Sequence, residues 1–185
     1  MFAGCRTRRK GHALHENIEE ITVLVQGVQA GFHHIARTTS IDFELERENV
    51  SLLRKPEAAC AMATIGTVGD IRGGVAISFD APGFSEAVEK FSHGMLVGAG
   101  NDDAMALSCI GEMANMVSGQ LATFAHEKGY RLDVTPPNVF AGERVVQVYP
   151  DNVKWIYIPY RLKSGHVFLS IQIDEKSVKS AGVRV

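Results

Sequence analysis

The sequence has no C-x-x-C pair. Its three cysteines, Cys5, Cys60 and Cys109, are odd in number and widely spaced. That excludes a zinc ribbon and a dithiol redox motif, and a reducing cytoplasm is the simplest compartment. Cys109, mid-helix in this reading, is taken as a small half-buried hydrophobe. No apolar run reaches the about 20 residues of a bilayer-spanning helix. The most apolar stretch, Ile21 to Ile35, is interrupted by Gln26, Gln29, His33 and His34. Charge of one sign is not in excess: 19 Lys and Arg stand against 21 Asp and Glu, a net charge of -2. Without a basic field, nucleic acid as the main partner is disfavoured. A secretion signal is missing too. The twin Arg8-Arg9 is followed by Gly11, His12, His15 and three acids instead of an apolar stretch.

What is present suits a globular chain. There are 185 residues, 45% of them hydrophobic and 22% charged, enough to bury a core without staples. Internal repeats, low-complexity blocks and Pro/Gly/Ser linkers are lacking between residues 15 and 174, so one domain is expected over 15–175. Residues 1–14 read as a loose basic leader of the kind that is often disordered, and 176–185 as a frayed tail.

Apolar spacing predicts an amphipathic helix over 16–37. Residues 40–54 contain the alternating Ile41, Phe43 and Leu45 and read as an edge-like strand. Residues 58–68 and 73–79, joined by turn residues, read as a hairpin. Residues 82–97 open with Pro82 and carry Phe84, Val88, Phe91 and Met95 at helical spacing. Residues 102–128 form the longest helical pattern. Strand candidates follow at 131–140, 144–149 with 153–162, and 166–174; Pro159 should place its strand at an edge or a bulge. Helices and strands mix without strict alternation. The expected class is α+β, a mainly antiparallel sheet packed by two or three helices.

The long helical segment is the informative one. Leu107, Ile110, Ala114, Val117, Leu121 and Phe124 recur at steps of three and four and should face the sheet. Ser108, Glu112, Asn115 and Gly119 form a second stripe on nearly the opposite side. Asp102 and Asp103 suit the N-terminal end of a helix, and Gly129 its C-terminal stop. The second stripe has no Lys or Arg and only one acid, and Gly119 costs the helix about 1 kcal/mol relative to Ala. An ordinary solvated face would carry long charged side chains. This short, flat face could admit a partner close to the backbone. Its Glu offers an anion for a cation, and its Asn an amide that holds water.

The spacing Ser108-x-x-x-Glu112-x-x-Asn115-x-x-x-Gly119 resembles the signature helix of the CheC/CheX family of chemotaxis phosphatases. GDIRGGVAISF at 69–79 resembles that family's hairpin. EKGYRLDVTPPNVFAG at 127–142 resembles the stretch after its signature helix, although Asn138 stands where a Thr is expected. The resemblance covers roughly residues 16–174. It implies hydrolysis of the aspartyl phosphate on a CheY-type response-regulator receiver. Asn115 would orient the attacking water and Glu112 would dock a receiver Lys. Ser108 and Gly119 would serve packing or docking. It also implies that Mg²⁺ belongs to the receiver and that this chain binds no metal or cofactor. The first helix has no E-x-x-N, which favours the single-motif CheX-like members and, with them, a homodimer. A non-catalytic receiver-binding or dimerisation module of the same fold is the alternative.

Other features have plainer readings. Adjacent His33 and His34 point about 100° apart on a helix and do not converge on one ion. His12 and His15 lack a surrounding ligand cluster. Gly69, Gly73 and Gly74 lack the context of a phosphate loop and read as a turn. Trp155, Tyr157 and Tyr160 have few basic neighbours and read as strand packing or a dimer edge rather than stacking platforms.

Overall fold

The computed structural model describes residues 10–53, 58–148 and 153–174. Of the expected leader, residues 1–9 lie outside the described residues and 10–14 belong to the first helix rather than to a loose segment; the expected tail, 176–185, also lies outside them. Three helices, α1 (Lys10–Thr39), α2 (Ala81–Phe91) and α3 (Ala104–Glu127), accompany eight strands. These are β1 (Glu44–Leu45), β2 (Ser51–Leu53), β3 (Ala59–Gly69), β4 (Gly73–Phe79), β5 (Leu132–Val134), β6 (Asn138–Val145), β7 (Val153–Arg161) and β8 (His166–Asp174). They form one antiparallel sheet in which β7, β8, β4 and β3 are successive neighbours. At one side β1 and β2 both pair with β7; at the other β5 and β6 both pair with β3. The α+β expectation holds.

Alternation along the strands divides the sheet into two faces. Ala61, Ala63, Ile65, Val75, Ile77, Leu169 and Ile171 turn to the helices and join one buried cluster with residues of α1, α2 and α3. On the reverse face Met62, Ala76 and Trp155 form a smaller cluster, with Val145 packed on it. Trp155, Tyr157 and Tyr160 are all buried. Tyr160 stacks on Phe32 of α1, with ring centroids 4.9 Å apart. These aromatics are therefore packing residues, unavailable to stack on bases.

Several boundaries differ from the sequence reading for physical reasons. The 40–54 strand is two short pieces around a 3-10 turn at Arg47–Asn49. Pro159 lies on an interior strand rather than at an edge. Its carbonyl accepts from Glu46 N–H at 3.1 Å. In an antiparallel ladder a residue's N–H and C=O point to the same side, so the missing proline donor faces the interruption between β1 and β2. The 131–140 strand is split at Pro136-Pro137 into β5 and β6, which cannot continue one ladder through two residues without N–H groups. The helix expected to reach Val97 ends at Phe91. Beyond it His93 and Gly94 take φ of 52° and 82°, and Gly94 N–H returns to the Glu89 carbonyl at 2.8 Å. Met95, expected on the apolar stripe of that helix, is consequently exposed.

Helix α3 was expected to lay its apolar stripe on the sheet. It also lays it on α1, and glycines set that contact. A Cβ on Gly31 would stand 2.7 Å from Val117 Cα, and one on Gly27 would stand 2.7 Å from Leu121 Cδ1. Two bare turns of α1 thus let the helix backbones approach. Among the described residues no helix is long and apolar enough to cross a membrane.

α2 is tied down at its start and at its middle. Asp80 caps it, accepting from Gly83 N–H at 2.7 Å. Glu86 accepts from the Ser164 and Lys163 N–H groups at 2.6 and 3.4 Å and pairs with Lys90 at 3.2 Å. Burial pushes the Glu86 carboxyl up, but these bonds outweigh it and hold its pKa below the usual glutamate value.

Two outcomes are expected. Gly31→Ala lowers Tm although Ala is the better helix former. The clash with Val117 backbone costs about 1–3 kcal/mol, against about 1 kcal/mol of gained propensity. A melting curve checks this. A carboxylate held below its unfolded pKa contributes stability above that value and loses it as pH falls through the folded one. As pH falls below the ordinary glutamate value of 4.5, the urea midpoint should therefore fall more steeply for the wild type than for Glu86→Gln.

Candidate active site

Both ends of α3 are fixed by specific bonds. Asp103 is the N-cap, and its Oδ1 accepts from Met105 and Ala106 N–H at 2.7 and 3.1 Å. Just before it, Asn101 Nδ2 donates to the Cys60 carbonyl at 2.9 Å and to the Gly142 carbonyl at 3.0 Å. One carboxamide therefore anchors the start of the helix to β3 and β6. At the far end Gly129 takes φ of 85°, and Tyr130 N–H reaches back to the Ala125 carbonyl at 3.0 Å. This is the six-to-one bond of a glycine-terminated helix. The expected stop at Gly129 is where the helix ends.

Inward-facing Ile110, Ala114, Val117 and Leu121 are buried, with Met113 and Ala125 beside them; Leu107 and Phe124 are half-buried. That leaves Ser108, Glu112, Asn115 and Gly119 together on the exposed side. Asn115 Nδ2 donates to Glu112 Oε2 at 3.3 Å, as side chains three apart on a helix can. Ser108 Oγ turns back to the Ala104 carbonyl at 2.9 Å, so its hydroxyl serves the helix itself. Ser118 and Thr123 likewise donate to the carbonyls of Asn115 and Gly119, each at 2.9 Å. A Cβ on Gly119 would meet nothing within 4 Å. Among the described residues nothing in the packing asks for glycine there. The face is chemically sparse: one carboxylate, one carboxamide and a bare patch of backbone. It can bind a cation at Glu112 and hold a water at Asn115.

Sequence reading missed what adjoins this face. A groove of about 450 Å³ runs between the N-terminal half of α3 and the turn after α2, lined by Phe91, Met95, Leu96, Met105, Cys109 and Glu112 among others. The missed signal is Gly94 and Gly98, which break the helical pattern around Met95. It also missed Asn101, whose only mark is its place ahead of a helix cap. Cys109 and Cys60 are half-buried, and burial pushes both thiols above their ordinary pKa, as befits packing cysteines. His33 is exposed and His34 half-buried on α1. The side chains of His12 and His15 lie outside the described residues.

Comparison with known proteins gives three results. A family model described as Chemotaxis phosphatase CheX matches residues 61–161, more than half of the chain. The CheY-P phosphatase CheX of Thermotoga maritima is 37% identical over 83 residues, 44% of this chain and 51% of that protein. The chain thus spans about half the length of the curated relative it matches. Among solved structures, a chemotaxis protein CheX from Desulfovibrio desulfuricans superposes with a TM-score of 0.64 at 18% identity, covering 81% of this chain and 97% of the other. A CheX–CheY–BeF3–Mg²⁺ complex from Borrelia burgdorferi gives 0.59 at 19% identity, covering 82% and 98%. At these identities the structural likeness speaks to fold.

The open space at Gly119 yields a stability test. Gly119→Ala should raise stability by up to about 1 kcal/mol, the opposite sign to Gly31→Ala. Paired urea titrations of the two variants check it.

Proposed function

This chain belongs to the chemotaxis phosphatase CheX family, and from that premise we propose that it hydrolyses the aspartyl phosphate of a CheY-type receiver domain with the outer face of α3. The observation that carries the reading is the Glu112–Asn115 pair, exposed together on a face with no competing charge and an unconstrained glycine one turn on.

In this reading Glu112 takes a receiver Lys. The weak 3.3 Å bond to Asn115 gives way to a charge-assisted one, which is roughly twice as strong. The Asn115 carboxamide is then released to hold a water in line with phosphorus. Water oxygen forms the new bond to phosphorus, the bond from phosphorus to the aspartyl oxygen breaks, and the carboxylate leaves with its electron pair. The water proton ends on inorganic phosphate. Mg²⁺, held by the receiver rather than by this chain, would offset charge on the phosphoryl oxygens. A carboxamide suits its task because it holds water by donor and acceptor without changing protonation state. Alignment is the main catalytic term available to such a site. Gly119 keeps the helix low enough for the partner to approach. Homodimerisation and a cytoplasmic setting belong to the same reading and rest on the family.

Acyl-phosphate loss from a phosphorylated receiver is the test. Wild type should accelerate it, and Asn115→Ala should lose about 10²-fold or more while still binding. Glu112→Gln should instead weaken binding, and the difference should shrink as salt screens the charge. A receiver that binds with unchanged decay would leave a binding module and remove the phosphatase.

A further inference from the structure

The groove beside Glu112 carries two of the four most exposed large apolar side chains among the described residues. Met95 is 81% exposed and Met105 66%, and both line it. Single exposed hydrophobes need no explanation, but a cluster around a concavity marks an interaction surface. The groove is built rather than frayed. Its outer wall, residues 92–98, is pinned by Ser92 Oγ, which accepts from Leu96 N–H at 3.1 Å and donates to the Glu89 carbonyl at 3.1 Å. His93 holds φ of 52° in that wall, a left-handed conformation that disfavours a residue with a side chain. Its floor is Phe91, Leu96 and the half-buried Cys109.

One lining residue is charged, and it is Glu112. The apolar trough therefore ends on the same carboxylate that heads the Asn115 face. We propose that this groove receives an apolar side chain of the receiver domain, carried beside the Lys that Glu112 pairs. The inference rests on the docking reading above and adds the surface that sets partner affinity. Charge complementarity selects the occupant: a trough with a single anion at one end fits a segment with a cation next to an apolar residue. Methionines form its rims, and their unbranched, polarizable side chains adapt to differently shaped partners. Their contact lies away from phosphorus, so it binds the ground state and the transition state alike. Such binding lowers KM and leaves kcat unchanged.

The double variant Met95→Ser/Met105→Ser tests this on the full chain with an acetyl-phosphate-charged CheY-type receiver. Both side chains are exposed, so the variant should fold with an unchanged Tm. KM for the receiver should rise about tenfold or more, with kcat within about twofold. In the wild type, peroxide oxidation of Met95 and Met105 should slow when a beryllium-fluoride-activated receiver is added. Normal KM in the double variant, with brisk hydrolysis by wild type, would overturn the groove and leave the docking reading standing. A wild type that neither binds nor dephosphorylates the receiver would overturn both. Protection that grows with the concentration of this chain alone would assign the groove to a second copy and overturn the proposal.

Discussion

Two absent side chains set where α3 sits. At Gly27 and Gly31 the surface of α1 is backbone, and Val117 and Leu121 of α3 press against it. A protein interior is close-packed, so a methyl group inserted at such a seam moves an element rather than being absorbed. Moving α3 here would move everything on it. With 3.6 residues per turn, burying Ile110, Ala114, Val117 and Leu121 obliges Ser108, Glu112, Asn115 and Gly119 to face outward. The bonds from Asp103, Asn101 and Tyr130 fix the ends. The seam fixes the roll of the helix between them. Orientation of the outer face is thus decided inside the protein, by buried contacts.

This explains what could be read from sequence. Alternation, helical period and turn residues are local, and they located the β3–β4 hairpin, β8, both ends of α3 and the division of α3 into two faces. Long-range pairing is not local. Nothing near Pro159 says that its neighbour strand is interrupted opposite it, and nothing near Gly31 says that Val117 lies within a methyl radius. The groove was hidden for another reason. Met95 continues the helical spacing of Phe84, Val88 and Phe91, so period alone put it inside. The left-handed turn at His93 and Gly94 stops the helix first. Two competing local signals were present, and the turn won.

On the proposed reading, the outer face and the groove would divide recognition from chemistry. In the proposed reaction Asn115 contributes through an in-line water that matters only at the transition state, whereas an apolar contact several residues away holds bound receiver equally throughout. The first kind of interaction raises kcat and the second lowers KM. Keeping them on separate residues, Asn115 on α3 and Met95 and Met105 at the rims of the groove, would let partner affinity change by substitution at either methionine without disturbing the water. Glu112 is the joint between them, since it lines the groove and bonds Asn115. A partner that filled the groove but offered no cation would leave Asn115 tethered to Glu112. It would bind unproductively. Selectivity on this surface would therefore arise from requiring the apolar side chain and the cation together, the former for residence and the latter to free the carboxamide.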